Sequence, residues 1–180
     1  MSNNTVKITG GKYRGRAILT PGGKTHPMGE RERLALFNMI TEYVQGSTVI
    51  DLYCGGGTLG IEALSRGARR VVFVDKEAMA LRTVKENLCR LGIDDVAGVE
   101  VVRADAVTVA EEAAEQFDVV LADPPYDRYD AGMVDELSRL VLDGGILVLS
   151  HPGEAPELEG LQLMKTRRYS GAHISIYAKD

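Results

Sequence analysis

Residues 51–60 read Asp51-Leu52-Tyr53-Cys54-Gly55-Gly56-Gly57-Thr58-Leu59-Gly60, and this segment is the strongest indication of the fold class. It joins an apolar segment, predicted as a buried strand, to a predicted helix through three consecutive glycines. Glycine adopts positive φ without strain and lets a ligand approach the backbone closely. The following helix offers unpaired N–H groups at its N-terminus. The pattern predicts a ligand-binding turn at the carboxyl end of a strand, where open α/β sheets bind ligands. A turn that only connects strand to helix is the alternative interpretation.

Outward from this turn, strand-like segments alternate with helix-like segments. Strands are predicted at residues 47–53, 70–75, 99–105, 117–123 and 146–150, and helices between them at 58–66, 77–91, 107–116 and 131–142. Each strand is apolar enough to be buried on both faces, which is typical of a parallel sheet covered by helices. Right-handed crossovers then give a doubly wound α/β fold.

The two ends of the chain depart from this alternation. Residues 5–20 are predicted as two short strands around a Gly-Gly turn, and residues 29–45 as a helix. Residues 161–170 and 172–179 are strand-like and are separated only by Gly171. Because no helix lies between them, they should pair as an antiparallel hairpin.

Composition favours a folded domain in a reducing compartment. The 180-residue chain is 44% hydrophobic and 26% charged, which is enough for a packed core. It has no apolar run near the ~20 residues that a membrane helix needs, and its N-terminus lacks a signal-peptide stretch. Cys54 and Cys89 form no CxxC motif, and His151 and His173 show no metal-ligand spacing. We therefore expect a cytoplasmic protein without a membrane segment or a metal.

The net charge of −5 is distributed unevenly along the chain. Residues 1–42 carry seven basic and three acidic side chains, whereas residues 43–180 carry 14 basic and 23 acidic ones. A basic arm on an acidic body is a pattern of polyanion binding, although a solvated basic hairpin gives the same counts. We expect a basic N-terminal β-hairpin arm at residues 1–28 and an α/β domain at residues 29–180.

Acidic residues end four consecutive predicted strands and should meet at one edge of the sheet. They are Asp51, Asp75, Asp105 and Asp123. An acid at Asp75 can accept hydrogen bonds from ribose hydroxyls, and Asp105 can accept from an adenine amine, with the Ala106 N–H nearby as a donor. Asp75 and Asp105 could instead cap the helices that follow them. Four acids at one edge favour a ligand site.

The glycine turn resembles the D-x-x-x-G-x-G motif of S-adenosylmethionine-dependent methyltransferases. A dinucleotide motif, G-x-G-x-x-G, also fits, but it is weak alone, and Asp51 four residues before Gly55 favours the methyltransferases. Five βα units followed by a hairpin are similar to the mixed seven-stranded class I methyltransferase sheet, with an antiparallel strand in the last-but-one position. The resemblance implies that Asp51 meets the cofactor ammonium, directly or through water. The implied S-adenosylmethionine-binding residues are Asp51, Tyr53, Gly55, Gly57, Asp75, Asp105 and Ala106.

The fourth strand ends on Asp123-Pro124-Pro125-Tyr126. Neither proline can donate a ladder hydrogen bond, so the sheet must end there. The tip displays a carboxylate, backbone carbonyls and an aromatic face, which suits a planar amine such as that of a nucleobase. It looks like the catalytic motif of methyltransferases acting on exocyclic base nitrogens. This implies that Asp123 and the Pro124 carbonyl orient the amine, while Tyr126 stacks on the base. A rigid turn that only ends a strand is the alternative.

The N-terminal region narrows the resemblance to one family. Gly10-Gly11-Lys12-Tyr13-Arg14-Gly15-Arg16, the segment from His26-Pro27-Met28-Gly29 to Phe37-Asn38, and Leu64-Ser65-Arg66-Gly67-Ala68 resemble the RsmD-type 16S rRNA guanine-N2 methyltransferases. The resemblance covers about residues 7–150. His26 and Met28-Gly29 depart from the family, which has Arg and then Thr with a polar residue there.

The family resemblance implies an activity and a partner. It implies methyl transfer to the exocyclic N2 of a guanine in 16S rRNA, free or in an assembling small subunit, by a monomer without a metal. The arm residues implied to bind RNA are Lys7, Lys12, Tyr13, Arg14 and Arg16, through phosphate contacts and stacking. Arg31 and Arg33 could face RNA, contact the cofactor carboxylate, or pair with Glu30 and Glu32.

Other functions stay open at this point. Methyltransferases of adenine N6 in DNA or RNA and of protein glutamine share the strand-four motif, because each presents a planar amine. DNA methylation is disfavoured because no large target-recognition insert is visible in the 180 residues. Glutamine methylation is disfavoured because it would leave the basic arm unexplained. A non-catalytic RNA- or nucleotide-binding module is the remaining alternative, although it has no chemical need for the Asp123 tip.

Overall fold

A computed structural model describes residues 5–21, 28–94, 96–169 and 172–180 of the chain. Some of the residues named above lie outside the described residues: His26, Pro27 and the predicted turn residue Gly171. None of the helices in the described part of the chain is long and apolar enough to cross a membrane.

The strands form a two-stranded and a seven-stranded sheet. The strands are β1 Thr5–Lys7, β2 Ala17–Leu19, β3 Thr48–Leu52, β4 Arg70–Asp75, β5 Val99–Arg103, β6 Phe117–Ala122, β7 Val141–His151, β8 Gln162–Tyr169 and β9 Ala172–Ala178. β1 and β2 pair antiparallel, and the large sheet has the order β5-β4-β3-β6-β7-β9-β8. Strands β3 to β7 are parallel, whereas β9 runs antiparallel between β7 and β8. The predicted mixed seven-stranded α/β sheet, with its antiparallel strand in the last-but-one position, is confirmed.

Helices cover both faces of this sheet. They are α1 Glu30–Met39, α2 Thr41–Val44, α3 Thr58–Ser65, α4 Ala78–Leu91, α5 Ala106–Glu111 and α6 Ala131–Ser138. Alternate residues of each strand face opposite sides. Val49 therefore packs in a core with α1, α3 and α4, while Ile50 packs in a second core with α5 and α6.

Several predicted elements differ from the structure, among them the helix expected over 107–116, which ends at Glu111, and the strand expected over 146–150, which begins at Val141. The helix expected over 29–45 is two helices, since Ile40 leaves helical geometry and the Thr41 hydroxyl donates to the Phe37 carbonyl at 2.7 Å. The helix expected over 131–142 ends at Ser138, because Val141 pairs with Phe117 and already belongs to β7. The third strand was expected to be buried on both faces, but β5 is an edge strand whose side chains are all at least partly exposed.

The N-terminal hairpin packs into the main core. Ile8 and Ile18 are buried in the cluster that contains α1, α3 and α4. Arg33 of α1 is fully buried and donates to the Glu62 carboxylate at 3.2 Å, to the Met28 carbonyl at 3.2 Å and to the Lys7 carbonyl. The partner of Arg33, which the sequence left open, is therefore Glu62 of α3 and the hairpin backbone.

The buried carboxylate of Glu62 joins the N-terminal hairpin to α1 and α3 through Thr9, Arg33 and Arg66. Its carboxylate accepts from the Thr9 N–H at 2.9 Å, from the Thr9 hydroxyl at 2.6 Å and from Arg66 at 2.9 Å. Burial raises the pKa of Glu62, but the Thr9 and Arg66 hydrogen bonds and the Arg33 charge outweigh it, so the pKa lies below its usual value. The carboxylate stays ionised and ties β1 to α1 and α3.

We expect Arg33→Ala to lower the free energy of unfolding by about 3–5 kcal/mol, because it removes one partner of a buried charge pair. Urea denaturation at pH 7 measures this change. Arg31→Ala is the matched control, since Arg31 lies on the same helix with an exposed side chain. A loss below about 1 kcal/mol, the usual range for a surface ion pair, would contradict the anchoring role.

Candidate active site

A cleft of about 1040 Å³ opens at the carboxyl ends of the parallel strands. Small-molecule sites commonly measure about 300–1,000 Å³, so this one has room for a cofactor and part of a second ligand. The predicted residues that line it are Asp51, Tyr53, Gly55, Asp75, Asp105, Ala106, Asp123, Pro124, Pro125 and Tyr126. The structure thus brings the predicted cofactor residues and the predicted catalytic residues into one cavity, apart from Gly57.

Gly57 belongs to the glycine turn but faces the core side chains of Phe73 and Val84. Its φ is +79°, and a Cβ there would lie 3.1 Å from the Phe73 ring and 3.2 Å from Val84. Gly57 is therefore required by backbone conformation and packing, and the structure does not place it on the cleft surface. Tyr53 also has a positive φ, +57°, which is uncommon for a residue with a side chain and is found at functional sites.

Asp75 joins the glycine turn to α4. One carboxylate oxygen accepts from the Gly55 N–H at 2.9 Å, and the other accepts from the Glu77 N–H at 2.9 Å. The alternative that Asp75 caps α4 is wrong, because the N-cap residue is Glu77 and no side chain caps this helix; Asp75 holds the N–H of Glu77, the residue before the helix. An ionised carboxylate has about four acceptor positions, so two remain for a ligand.

Asp51 lies beneath the turn with 1% of its surface exposed. One of its oxygens accepts from the Gly60 N–H at 2.8 Å, in the first turn of α3. Burial first, and then the charges of Asp123 and Asp75, raise the pKa of Asp51 to about 8, against the lowering effect of the Gly60 hydrogen bond. With this pKa, Asp51 is largely protonated at neutral pH. A cation bound beside it would favour the ionised carboxylate.

Asp105 follows β5, which is separated from β3 and Tyr53 by β4, and its charge still acts on the Tyr53 phenol. It caps α5 by accepting from the Val107 N–H at 3.0 Å, which was the alternative interpretation of this acid. The Tyr53 hydroxyl lies 3.0 Å from the Met133 sulfur. Burial first, and then the Asp105 charge, raise the pKa of Tyr53 to about 12, so its phenol stays neutral.

The segment Asp123-Pro124-Pro125-Tyr126, called here the Asp123 tip, is held by hydrogen bonds to a residue that the sequence analysis missed, Ser150. The hydroxyl of Ser150, at the end of β7, lies 2.7 Å from the Tyr126 hydroxyl. Burial raises the pKa of Asp123, and a hydrogen bond from Ser150 opposes that rise. Tyr126 begins a 3-10 turn and is 39% exposed, so its ring remains available to a ligand. The only sequence signal for Ser150 is its place at the end of a strand adjacent to β6.

The charge of the cleft is strongly negative. Among the described residues that line it, seven are acidic and one, Lys76, is basic; the acids are Glu32, Asp51, Asp75, Glu77, Asp105, Asp123 and Asp127. Such a lining attracts a cation and repels a phosphate backbone. In the described part of the chain, no group of three or more His, Cys, Asp or Glu residues is placed to hold a metal ion.

The N-terminal hairpin forms one wall of the cleft. Pro21 lines it, and a Cβ on Gly56 would lie 2.7 Å from the Pro21 ring. The buried Asn87 amide donates to the Leu19 carbonyl at 2.9 Å and to the Gly56 carbonyl at 3.0 Å. Sequence reasoning missed these contacts, because they join segments 31 and 68 residues apart.

The other end of the hairpin is far from the cleft. Arg16 donates to the carbonyls of Arg90 and Leu91 at the end of α4, whereas α4 begins beside the cleft. A 14-residue helix is about 21 Å long. Lys12 and Arg16 also lie over the half-buried Tyr13 ring, at 5.3 and 6.0 Å from its centroid.

These contacts bear on the predicted RNA residues. Lys7, Lys12 and Arg14 have exposed side chains, whereas Arg16 caps a helix and Tyr13 already contacts two cations. Their RNA-binding role stays a prediction. An RNA that contacts Arg16 would extend along α4, which is about 21 Å long, whereas Lys7 lies beside Glu30 at the start of α1, close to the cleft.

The strand order, the glycine turn and the acids at the strand tips define a class I methyltransferase fold. The chain matches the family described as "Conserved hypothetical protein 95" over residues 6–178, and it belongs to that family. It is 35% identical over 186 residues to the Bacillus subtilis protein named "Putative rRNA methyltransferase YlbH", covering 97% of this chain and 99% of that one. It is 29% identical over 143 residues to ribosomal RNA small subunit methyltransferase D of Escherichia coli, covering 79% and 69%.

A solved structure supports the same assignment. A hypothetical protein of Thermus thermophilus is 32% identical, with a TM-score of 0.81, over 97% of this chain and 99% of that one. The family resemblance drawn from residues 10–16, 26–38 and 64–68 is confirmed.

Proposed function

We propose that this protein transfers a methyl group from S-adenosylmethionine to the exocyclic N2 of a guanine in small-subunit rRNA. The observation that carries the proposal is that the Asp123 tip and the acid-lined glycine turn open into one cleft. The names of the relatives in Bacillus subtilis and Escherichia coli favour rRNA over DNA or protein as the substrate. The partner is this rRNA, free or in an assembling subunit, and the expected location is the cytoplasm; the monomeric state stays a prediction.

The residues of the cleft fit S-adenosylmethionine, whose sulfonium, ammonium and carboxylate groups give it a net charge of about +1 at neutral pH. Asp51 would hold its ammonium group, Asp75 its ribose hydroxyls, and Asp105 with the Ala106 N–H its adenine. The fit is seen in Asp51, whose pKa is raised by burial and by the Asp123 and Asp75 charges: a cation beside it would stabilise the ionised carboxylate that its surroundings disfavour. When bound, the cofactor supplies an electrophilic methyl group on a sulfonium.

The protein then contributes orientation and electrostatics. The lone pair of guanine N2 is delocalised into the ring, which makes it a poor nucleophile. Hydrogen bonds from the amine to the Asp123 carboxylate and the Pro124 carbonyl turn that lone pair out of conjugation. Asp123, with its raised pKa, can accept the proton that the methylated nitrogen loses. Tyr126, held by Ser150, covers one face of the base.

The target base must leave its stack to reach Asp123, because the cleft admits a base and repels phosphates. Single-stranded or looped RNA meets this condition at the lowest cost. The proposal is tested by mass mapping of modified nucleosides in rRNA from cells with and without the protein. Loss of one N2-methylguanosine from small-subunit rRNA is expected, and an unchanged map would contradict the proposal.

Asp51 predicts a pH dependence of cofactor binding. Between about pH 5.5 and 7 the ligand ammonium stays charged, while Asp51 must release a proton to pair with it. We therefore expect affinity to rise by up to about tenfold per pH unit, with release of one proton. Calorimetry in buffers of different ionisation enthalpy measures both quantities. Asp51→Asn should bind more weakly and without this pH dependence, and a wild-type affinity that is constant with pH would contradict the assignment.

A further inference from the structure

Strand β8 carries a row of cations that leads to the cleft. Its sequence from Lys165 to Tyr169 is Lys-Thr-Arg-Arg-Tyr, and residues 162–168 are exposed at the free edge of the sheet. No acidic residue lies in β8. Within the described part of the chain, no hydrogen bond or ion pair occupies the side chains of Lys165, Arg167 or Arg168. The rest of residues 43–180 is strongly acidic, so three unpaired cations within four residues stand out.

The pairing of β8 with β9 shows on which face of the sheet each of these cations lies. Lys165 is opposite Ile176, Arg167 opposite Ile174, and Tyr169 opposite Ala172. Directly paired residues point to the same face of a sheet. Tyr169, Ala172 and Ile174 all line the cleft, so Lys165, Arg167 and Tyr169 form a row on the cleft side.

Arg168 lies on the other face. It is opposite His173, whose ring stacks on the buried His151 at a centroid distance of 5.7 Å, away from the cleft. The strand therefore offers an internal comparison: two cations on the cleft face and one of the same kind on the opposite face.

The row is continuous with the cleft mouth. Alternate residues of a strand are about 7 Å apart, so Lys165 lies about 14 Å from Tyr169. Tyr169 packs on the main core, and its pKa is raised by burial, lowered by the Arg167 charge and raised by the Glu32 charge. The charges of Arg167 and of the cleft acid Glu32 both act on Tyr169, so Arg167 lies close to the point where the strand enters the cleft.

We propose that Lys165 and Arg167 bind backbone phosphates of the substrate RNA next to the target nucleotide. The inference rests on the proposed function, and it gives the RNA a contact close to the cleft that the distant hairpin tip does not provide. Charge complementarity supports it, because a polyanion that approaches seven cleft acids needs a cationic path beside them. The occupant is a single-stranded or looped RNA segment, with Tyr169 at the entrance.

The test compares Lys165→Gln/Arg167→Gln with Arg168→Gln. Binding of small-subunit rRNA fragments is measured over a range of salt concentrations, together with cofactor affinity and KM for RNA. Loss of two phosphate contacts should reduce the slope of log K against log salt by about 1.4, and affinity by about tenfold near 0.15 M salt. Arg168→Gln should leave the slope near that of the wild type, and cofactor affinity should be unchanged in both variants.

Several outcomes would overturn the inference. One is an unchanged slope in the double variant, and another is an equal loss per charge in Arg168→Gln, which indicates diffuse charge. A third is aggregation of the double variant with normal RNA binding, which indicates that the cations only protect the sheet edge. The proposed function fails separately, if the wild type binds RNA with the expected slope but transfers no methyl group to it.

Discussion

Asp123→Ala is expected to lower the rate constant for methyl transfer by at least about 10²-fold, while the cofactor Kd changes little. Asp123 follows β6 in the cleft, where its raised pKa and its Ser150 hydrogen bond mark a carboxylate held in position. Without it the target amine keeps its lone pair in conjugation and loses its proton acceptor. Single-turnover transfer of labelled methyl to rRNA, with calorimetry for the cofactor, separates the two effects.

Two further variants control for charge and for folding. Asp127→Ala removes a neighbouring acid that also lines the cleft, and it should retain most of the activity. Asp123→Asn keeps an acceptor oxygen of the same shape, so its loss should be smaller than that of the alanine variant. Full activity in Asp123→Ala would remove this residue from the mechanism.

Asp75→Ala is expected to weaken cofactor binding by at least about 100-fold, since two hydrogen bonds to a charged acceptor are each worth about 1.5–3 kcal/mol. Part of that loss arises indirectly, because Asp75 also holds the Gly55 and Glu77 N–H groups. Calorimetry with S-adenosylmethionine and with its demethylated product measures the change. Both ligands carry the same ribose, so both should lose affinity equally.

Asp130→Ala is the matched control for the structural part of this effect. Asp130 caps α6 by accepting from the Gly132 N–H at 2.7 Å, which is the geometry that Asp75 adopts toward Glu77. It does not line the cleft. Asp75→Ala should lose more stability than Asp130→Ala, because it also removes the Gly55 hydrogen bond. An Asp75→Ala protein that binds the cofactor as tightly as Asp130→Ala would disprove the ribose contact.

The sheet and its strand tips could be predicted because they depend on local pattern. A run such as Val119-Val120-Leu121-Ala122 followed by Asp123-Pro124 specifies both a strand and its end. Parallel strands then place Asp51, Asp75 and Asp123 at the same edge, whatever the details of packing. The position of the candidate active site could therefore be predicted from the order and direction of the strands alone.

The errors arose where tertiary contacts override local pattern. Val141 continues the apolar spacing of α6, but in the structure it pairs with Phe117 and belongs to β7. A Cβ on Gly145 would lie 2.8 Å from the Asp118 carbonyl, so glycine permits the close approach of β7 to β6 at that point. Partners distant in sequence, such as Ser150 for Tyr126 or Glu62 for Arg33, leave no local signal.

The contacts of the hairpin also set the order in which the molecule can form. Leu19 pairs with Asn87, and Arg16 with Leu91, across 68 and 75 residues. At a synthesis rate of about 5–20 residues per second, the partners of β2 follow it by roughly 4–14 seconds. These hairpin contacts are therefore missing until α4 has been synthesised, and only then can the wall that Pro21 gives the cleft form.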